Sequence, residues 1–244
     1  MKHMGLFEGI GGFSLAARWA GWATPVMVEW NTYCQAVLQK NFPDATIFGD
    51  IHKFDGTAYA GQIDIITGGF PCQPFSHAGK RAGTDDDRYL WPEMLRVIRE
   101  VAPSWVVGEN VAGILSMDGG RVLAGILADL ENEGYSTEVY IIPAIGVGAP
   151  HRRERAWVVA HSKQQGLQSG VFRQRNQRAG ISTEVGCKDI KNTEWKTWNC
   201  PPELLLRNYG LSRKLDEIEI EALGNAIVPE IAYQIFDAIN KYQP

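Results

Sequence analysis

The chain has 244 residues, 45% of them hydrophobic and 21% charged, with a formal net charge of -4. That length suits one large domain, or one domain with a small insert, and the mild acidity excludes wholesale coating of nucleic acid. No apolar run approaches the ~18 residues of a membrane helix, and Met1-Lys2-His3-Met4-Gly5 lacks the apolar core of a signal peptide. The four cysteines (Cys34, Cys72, Cys187 and Cys200) show no C-x-x-C spacing. The expectation is a reduced, cytoplasmic protein with no structural metal site and no membrane partner.

In chain order, Met4 to Glu8 reads as a short apolar strand, followed by Gly9-Ile10-Gly11-Gly12 and a helical pattern from Phe13 to Trp22. Glycines after a first strand let backbone approach a ligand at a helix N-terminus. Strand two, Thr24 to Val28, ends in Glu29, 20 residues beyond Gly9. A carboxylate there is placed to accept hydrogen bonds from ribose hydroxyls, so the pattern implies a nucleoside-containing cofactor. Thr46 to Phe48 is a third strand ending in Gly49-Asp50. Ile63 to Thr67 is a fourth, buried one, and it runs into Gly69-Phe70-Pro71-Cys72-Gln73-Pro74-Phe75-Ser76. A cysteine between two prolines can neither continue a sheet nor enter a helix freely. Its thiol is expected on a stiff turn at the sheet's carboxyl edge, where open α/β sheets bind ligands.

Ser76 to Asp87 is polar, with Gly79 and Gly83 as hinges, and reads as a mobile loop over a site. A helix is expected from Tyr89 to Val101, with Pro92 near its start. The strand Ser104 to Val107 then ends in Gly108-Glu109-Asn110-Val111, which brings Glu109 to the same edge as Cys72. Gly120 to Glu133 is an amphipathic helix, and Tyr135 to Ile142 pairs with Ala156 to Ala160 as a hairpin around Ala149-Pro150-His151-Arg152-Arg153-Glu154-Arg155. From 162 to 202 the strand–helix rhythm stops, and this stretch reads as a loop-rich inserted module. Between Ala149 and Thr183 seven basic residues stand against one acid, Glu154. Three of them, Arg173, Arg175 and Arg178, lie in the insert and are candidate DNA contacts. Glu217 to Tyr242 returns to helix, broken at Gly224-Asn225-Ala226 and at Val228-Pro229.

Leu6-Phe7-Glu8-Gly9-Ile10-Gly11-Gly12, Pro71-Cys72-Gln73, Glu109-Asn110-Val111, Arg153-Glu154-Arg155 and Gly224-Asn225-Ala226 occur in that order. In these motifs the chain resembles the DNA (cytosine-5) methyltransferase family over residues 4–161 and roughly 198–240. The resemblance implies a Rossmann-like class I α/β fold: a mostly parallel seven-stranded sheet with one antiparallel strand. It implies a catalytic domain made of residues 1–161 and 203–244, and a small target-recognition module at 162–202. It further implies S-adenosylmethionine as cofactor (S-adenosylhomocysteine as product), double-stranded DNA as substrate, a cognate restriction endonuclease as a partner, and a monomeric enzyme.

By the same resemblance Cys72 is the nucleophile, Glu109 the proton donor at cytosine N3, and Arg155, with Arg153 of the same motif, holds the base. Phe7, Gly9, Ile10 and Gly11 line the methionine end of the cofactor, Glu29 holds its ribose, and Trp30 lies beside its adenine. Asp50 and Ile51 face the adenine, Asn225 returns from the far end of the chain, and Phe70, Leu90 and Ala226 complete the set. Gln73, Ser76 and Arg88 match loop positions that meet DNA or the active site. Cytosine C5 is not nucleophilic, so a thiolate must first add at C6, and the atoms involved are reachable only in a flipped base.

Two positions depart from the pattern: Gly5 stands where many members carry Asp, and His151 where Gln is usual. Three other readings stay open on the residues alone: a nicotinamide-dependent oxidoreductase, a tRNA cytosine-5 methyltransferase, and a catalytically silent DNA-binding relative. The first leaves Pro-Cys-Gln followed by Glu-Asn-Val without a reason.

Overall fold

Adjacent isoleucines show how the sheet is buried. In the strand Ile65–Gly68, Ile65 packs with Phe13, Trp157 and Phe236 on one face, and Ile66 with Met4, Met94 and Ile126 on the other. Neighbouring strand residues point to opposite faces, so a strand with helices on both sides is apolar at every position. The same alternation places Val106 on the Ile66 side and Val107 on the Ile65 side. The structure, a computed structural model, describes residues 1–71, 89–149, 152–163 and 222–242.

The strands are β1 (Lys2–Leu6), β2 (Ala23–Val28), β3 (Thr46–Phe48), β4 (Ile65–Gly68), β5 (Trp105–Val111), β6 (Tyr135–Pro143) and β7 (Glu154–Ser162). The helices are α1 (Gly12–Trp19), α2 (Thr32–Asn41), α3 (Trp91–Val101), α4 (Arg121–Asn132) and α5 (Pro229–Tyr242). One seven-stranded sheet has the order β3-β2-β1-β4-β5-β7-β6. The pairs β1–β2, β2–β3, β1–β4 and β4–β5 are parallel, while β7 pairs antiparallel with both β5 and β6. Among the described strands only β7 is reversed, as the family resemblance implied. The chain winds outward through β2 and β3 and restarts on the other side of β1 at β4. The carboxyl ends of β1 and β4 therefore flank the switch point where such sheets bind ligands.

Several boundaries differ from the sequence reading for identifiable reasons. β1 stops at Leu6 because Phe7 adopts φ 53°, a left-handed conformation that a bulky side chain holds only when its surroundings impose it. α1 stops at Trp19 because Gly21, at φ 76°, closes its C-terminus: the Gly21 N–H donates to the Arg18 carbonyl and the Trp22 N–H to that of Ala17. Those two bonds make a Schellman cap, so Trp22 lies beyond the helix. α2 was not anticipated at all. Only Cys34 and Leu38 of its ten residues are buried, so no apolar stripe marks it, yet the Asn31 carboxamide caps it by accepting from the Tyr33 and Cys34 N–H groups. The expected helix near the C-terminus is helical at 222–225 and resumes at Pro229.

The far end of the chain is tied to its beginning. Trp22 stacks on Phe236 at 4.6 Å and donates its indole N–H to Asn240 Oδ1 at 2.7 Å. A β-carbon at Gly12 would stand 2.6 Å from Ile227 Cγ1, so the approach to α5 passes directly over the start of α1. No described helix is long and apolar enough to cross a membrane.

One buried polar group has a pH consequence. His3 is fully buried on β1, its ring nitrogens 2.9 Å from Thr24 Oγ1 and 2.8 Å from Thr67 Oγ1, and burial lowers its pKa from 6.5 to about 3. A base with a depressed folded pKa contributes stability above its unfolded value and loses it as the pH falls. By pH 5 the loss from this group reaches about 2 kcal/mol, at 1.36 per pH unit. Histidine NMR should show the His3 ring still neutral at pH 5, and a His3→Asn variant should lose less stability than wild type between pH 7 and 5.

Candidate active site

Three loops meet at the carboxyl edge. The first leaves β1 through Phe7 and Glu8 and turns at Gly9 (φ 58°) and Gly11 (φ 95°), with Gly11 as the N-terminal cap of α1. A β-carbon at Gly11 would meet Phe42 Cε2 at 2.7 Å, so only glycine fits there, whereas the space beside Gly9 is open. The turn is pinned from the next loop. Glu29, 9% exposed, accepts the Gly9 N–H on Oε2 and the Asn31 N–H on Oε1, both at 2.7 Å. Each carboxylate oxygen keeps a further lone pair, so Glu29 fastens the turn and still has acceptors for ligand hydroxyls. Beside it Trp30 is 82% exposed, a flat apolar face in solvent.

The third support follows β3. Asp50 caps the turn Ile51–Lys53 by accepting the His52 N–H at 3.0 Å, and this bond holds its carboxyl below the ordinary range. Ile51 is buried in the core. Arg96 on α3 clamps this turn from beneath, donating to the carbonyls of Ile51 at 2.7 Å and Phe54 at 3.0 Å while paired with Glu93 and Glu100. The sequence reading passed over Arg96, since an arginine on an amphipathic helix looks like any solvated charge. Asn225 is exposed on the helical residues 222–225, and Ala226 follows it. The contact of Ile227 with Gly12 places this segment beside the glycine turn.

The other half of the edge is built by β5 and β7. β4 ends its pairing at Gly68↔Gly108, but β5 continues to Val111 against β7, with Glu109 opposite Trp157 and Val111 opposite Arg155. Glu109, Asn110 and Arg155 are thus strand residues, where the sequence reading had them beyond strand ends. Glu109 is 7% exposed, and its Oε1 lies 3.0 Å from Arg155 Nε. The contact is an ion pair without hydrogen-bond alignment, because Oε1 has no aligned donor. Burial pushes the Glu109 carboxyl above its usual range, and the charges of Arg155 and Arg153 pull against that rise. Arg153 is lowered in turn, first by burial and then by the like charge of Arg155.

Glu109 also faces the foot of the loop that leaves β4. A β-carbon at Gly69 would stand 3.5 Å from Glu109 Oε2. The Asn110 carboxamide donates to the Phe70 carbonyl at 2.9 Å, and the Phe70 ring packs on Trp91 at 5.2 Å. Phe70 and Leu90, the N-terminal cap of α3, bracket residues 72–88. Cys72, Gln73, Ser76, Arg88, His151, Arg173, Arg175 and Arg178 lie outside the described residues, as does nearly all of the 162–202 segment.

The reversed seventh strand and the glycine turn at the switch point define a Rossmann-like class I methyltransferase architecture. Solved structures of such proteins superpose on the chain. A prophage-encoded DNA modification methyltransferase of E. coli matches with a TM-score of 0.60 and 27% identity, over 69% of this chain and 48% of that one. The S. pombe Dnmt2 methyltransferase shares the fold at a TM-score of 0.56 and 20% identity, over 79% of this chain and 62% of the other. The model of the C-5 cytosine-specific DNA methylase family matches residues 1–197, and the chain belongs to that family. Curated relatives include M.PspPI of Psychrobacter, 41% identical over 63% of this chain and 38% of the relative. M.HhaI of Haemophilus parahaemolyticus is 32% identical over 70% and 52%. The chain spans about half the length of the curated relatives it matches.

Family and fold imply S-adenosylmethionine as the methyl donor, and the residues present fit such a ligand. Glu29 and Asp50 offer carboxylate acceptors, Trp30 an exposed ring, and Gly9 open space above a turn edged by acids.

Removing the partner of a buried carboxylate costs more than an exposed pair is worth. Arg155→Ala should destabilise the protein by about 2 kcal/mol at pH 8, below the range for a fully buried pair because Arg155 is partly solvated. Without Arg155 the Glu109 carboxyl rises further and takes up a proton on acidification, which removes the unpaired charge. The difference from wild type in urea denaturation should therefore shrink by pH 5. A constant difference would mean that the pair does not couple to folding.

Proposed function

We propose that this chain is the catalytic part of a DNA (cytosine-5) methyltransferase that modifies C5 of a flipped cytosine in duplex DNA through a covalent Cys72 adduct. The observation that carries the proposal is Glu109. It is a buried acid with a raised pKa, paired to Arg155 and facing Gly69, three residues before Cys72 in the chain. The Cys72 thiolate adds to cytosine C6 and makes C5 electron-rich. Glu109 donates a hydrogen bond or proton at N3, so the ring does not accumulate negative charge, and its raised pKa keeps the proton available nearer neutrality. Arg155 and Arg153 hold the base at O2 and keep the Glu109 charge balanced. Glu29, Asp50, Trp30 and the glycine turn would hold S-adenosylmethionine, which would supply an electrophilic methyl group to C5 and leave as S-adenosylhomocysteine. Loss of the C5 proton and expulsion of Cys72 restore the aromatic ring.

DNA containing 5-fluorocytosine traps the adduct, because fluorine at C5 cannot leave as a proton does. Wild type with S-adenosylmethionine should form a denaturation-stable complex with such DNA, and Cys72→Ser should form none. Labelled methyl transfer measured side by side on duplex DNA and tRNA should favour DNA; preference for tRNA would establish the alternative substrate, and transfer to neither would indicate a silent relative.

In this reading residues 162–202 choose the DNA sequence, supported by the Arg173, Arg175 and Arg178 cluster and by the lack of catalytic motifs there. About 40 residues present few side chains to base edges, so the site should have about four or fewer well-specified positions. Single alanine replacements of the three arginines should either relax one position in a randomised DNA library or flatten the salt dependence of methylation. If all three leave both unchanged, the segment is not the reader.

A further inference from the structure

Gly5 and Glu8 share one place in the fold. A β-carbon built at Gly5 would lie 1.8 Å from Glu8 Oε2 and 2.7 Å from Glu8 Cδ, so the Glu8 carboxylate fills the volume that a side chain at position 5 would take. Such separations are far inside van der Waals contact, so a side chain at position 5 would displace the Glu8 carboxylate from this seat. Glu8 is 4% exposed, although it lies at the mouth of the glycine turn. Its carbonyl accepts the Gly11 N–H at 3.1 Å, and its Oε1 accepts the Ser14 N–H at 2.8 Å.

The second of these bonds does the work of a missing cap. Gly11, the capping residue of α1, has no side chain, and the first turn of the helix contains no acid. Ser14 is the third helical residue, whose N–H an Asp, Ser or Thr cap would ordinarily receive. Glu8 supplies the oxygen from three residues further back, with a negative charge at the positive end of the helix. Its carbonyl thus closes the turn at Gly11, and its carboxylate fastens Glu8 to the first turn of α1. Oε2 has no hydrogen-bond partner among the described residues.

We infer that Glu8 is the positioning residue of the cofactor turn: its carboxylate, seated in the space Gly5 leaves open, caps α1 and holds the backbone of 9–11 in its ligand-binding shape. The inference rests on the reading of this turn as the S-adenosylmethionine site. It also gives the Gly5 departure a reason, because the acid is delivered from the loop and a side chain on the strand would push it out of its seat. Burial raises the Glu8 pKa to about 7, the bonds from Ser14 lower it, and the neighbouring charge of Glu29, at the end of β2, raises it. Across pH 6 to 8 Glu8 therefore passes from neutral to ionised. The ionised form accepts the Ser14 N–H more strongly and attracts a cationic ligand, so affinity for the sulfonium should rise over that interval.

The test is a swap. Glu8→Ala, Gly5→Asp and the double variant Gly5→Asp/Glu8→Ala are compared by thermal unfolding without ligand and by calorimetric titration with S-adenosylmethionine. Each single change should lower the melting temperature and weaken binding by about fivefold or more, the scale of one lost cap. The double variant should recover most of both. Wild-type behaviour of Glu8→Ala, or a double variant no better than the worse single, overturns the inference. Glu8→Gln should flatten the rise in affinity between pH 6 and 8; an unchanged profile would leave Glu8 only a packing role and overturn the positioning claim. Glu29→Ala separates the two ideas. If it weakens binding while the Glu8 variants do not, the Glu8 inference fails alone. If wild type itself does not bind, the cofactor reading fails, and the ligand-free melting temperatures still decide whether Glu8 caps α1.

Discussion

The antiparallel pairing of β7 with β5 is the constraint from which the site follows. In a parallel sheet the beginnings of all strands lie at one edge and their ends at the other. Only a reversed neighbour can bring the start of one strand, Arg153 to Arg155, against the end of another, Glu109 to Val111. The same pairing gives β5 backbone partners beyond Gly108, where β4 stops. Glu109 thus stands on a rigid strand with one flank vacated by β4, and through that flank it faces Gly69. An acid on a loop would solvate itself; this one is held among apolar atoms and must keep its guanidinium or its proton.

The opposite half of the edge solves a different problem. A glycine turn that exposes backbone to a ligand has little intrinsic preference for one shape, because glycine loses more conformational freedom on ordering than any other residue. Here two carboxylates supply the order. Glu29 reaches across from β2 to the Gly9 N–H, and Glu8 reaches forward from within the loop to Ser14. Burial raises the Glu8 pKa, with the charge of Glu29 adding to the rise, and two acids beside this turn suit a cationic ligand. Arg96 completes the frame by fastening the Ile51–Phe54 carbonyls to α3. The ligand-facing parts are therefore loops, but each is bonded to a strand or helix.

Much of this was legible in the residues. Strands buried on both faces read as continuous apolar runs, so β1, β2 and β4 were found within a few residues. The edge strands β3 and β6, though partly exposed, were marked by their β-branched and aromatic residues. The order of five short motifs carried the family and with it a mostly parallel seven-stranded sheet with one strand reversed. The misses share a cause. α2 buries only two side chains, so no periodicity announces it, and α1 appeared longer because Trp22 is as apolar as a helix residue although Gly21 has already ended the helix. Glu109 and Arg155 looked like loop residues because periodicity cannot reveal that an antiparallel partner extends a strand.

By itself the sequence determined the class of fold, the family and the identity of the groups at the edge, because hydrophobic period and motif spacing are properties of the chain. Tertiary structure alone decided how those groups act on one another. Arg155 lies 46 positions from Glu109 in the chain and 3.0 Å away in space, and burial turns an ordinary acid into one that holds its proton more tightly. Glu8 has the same lesson at shorter range: as a letter beside a glycine it carries no signal, and its role appears only when the volume beside Gly5 proves to be occupied by its carboxylate. Excluded volume and desolvation depend on what surrounds an atom, and the folded chain alone sets those surroundings.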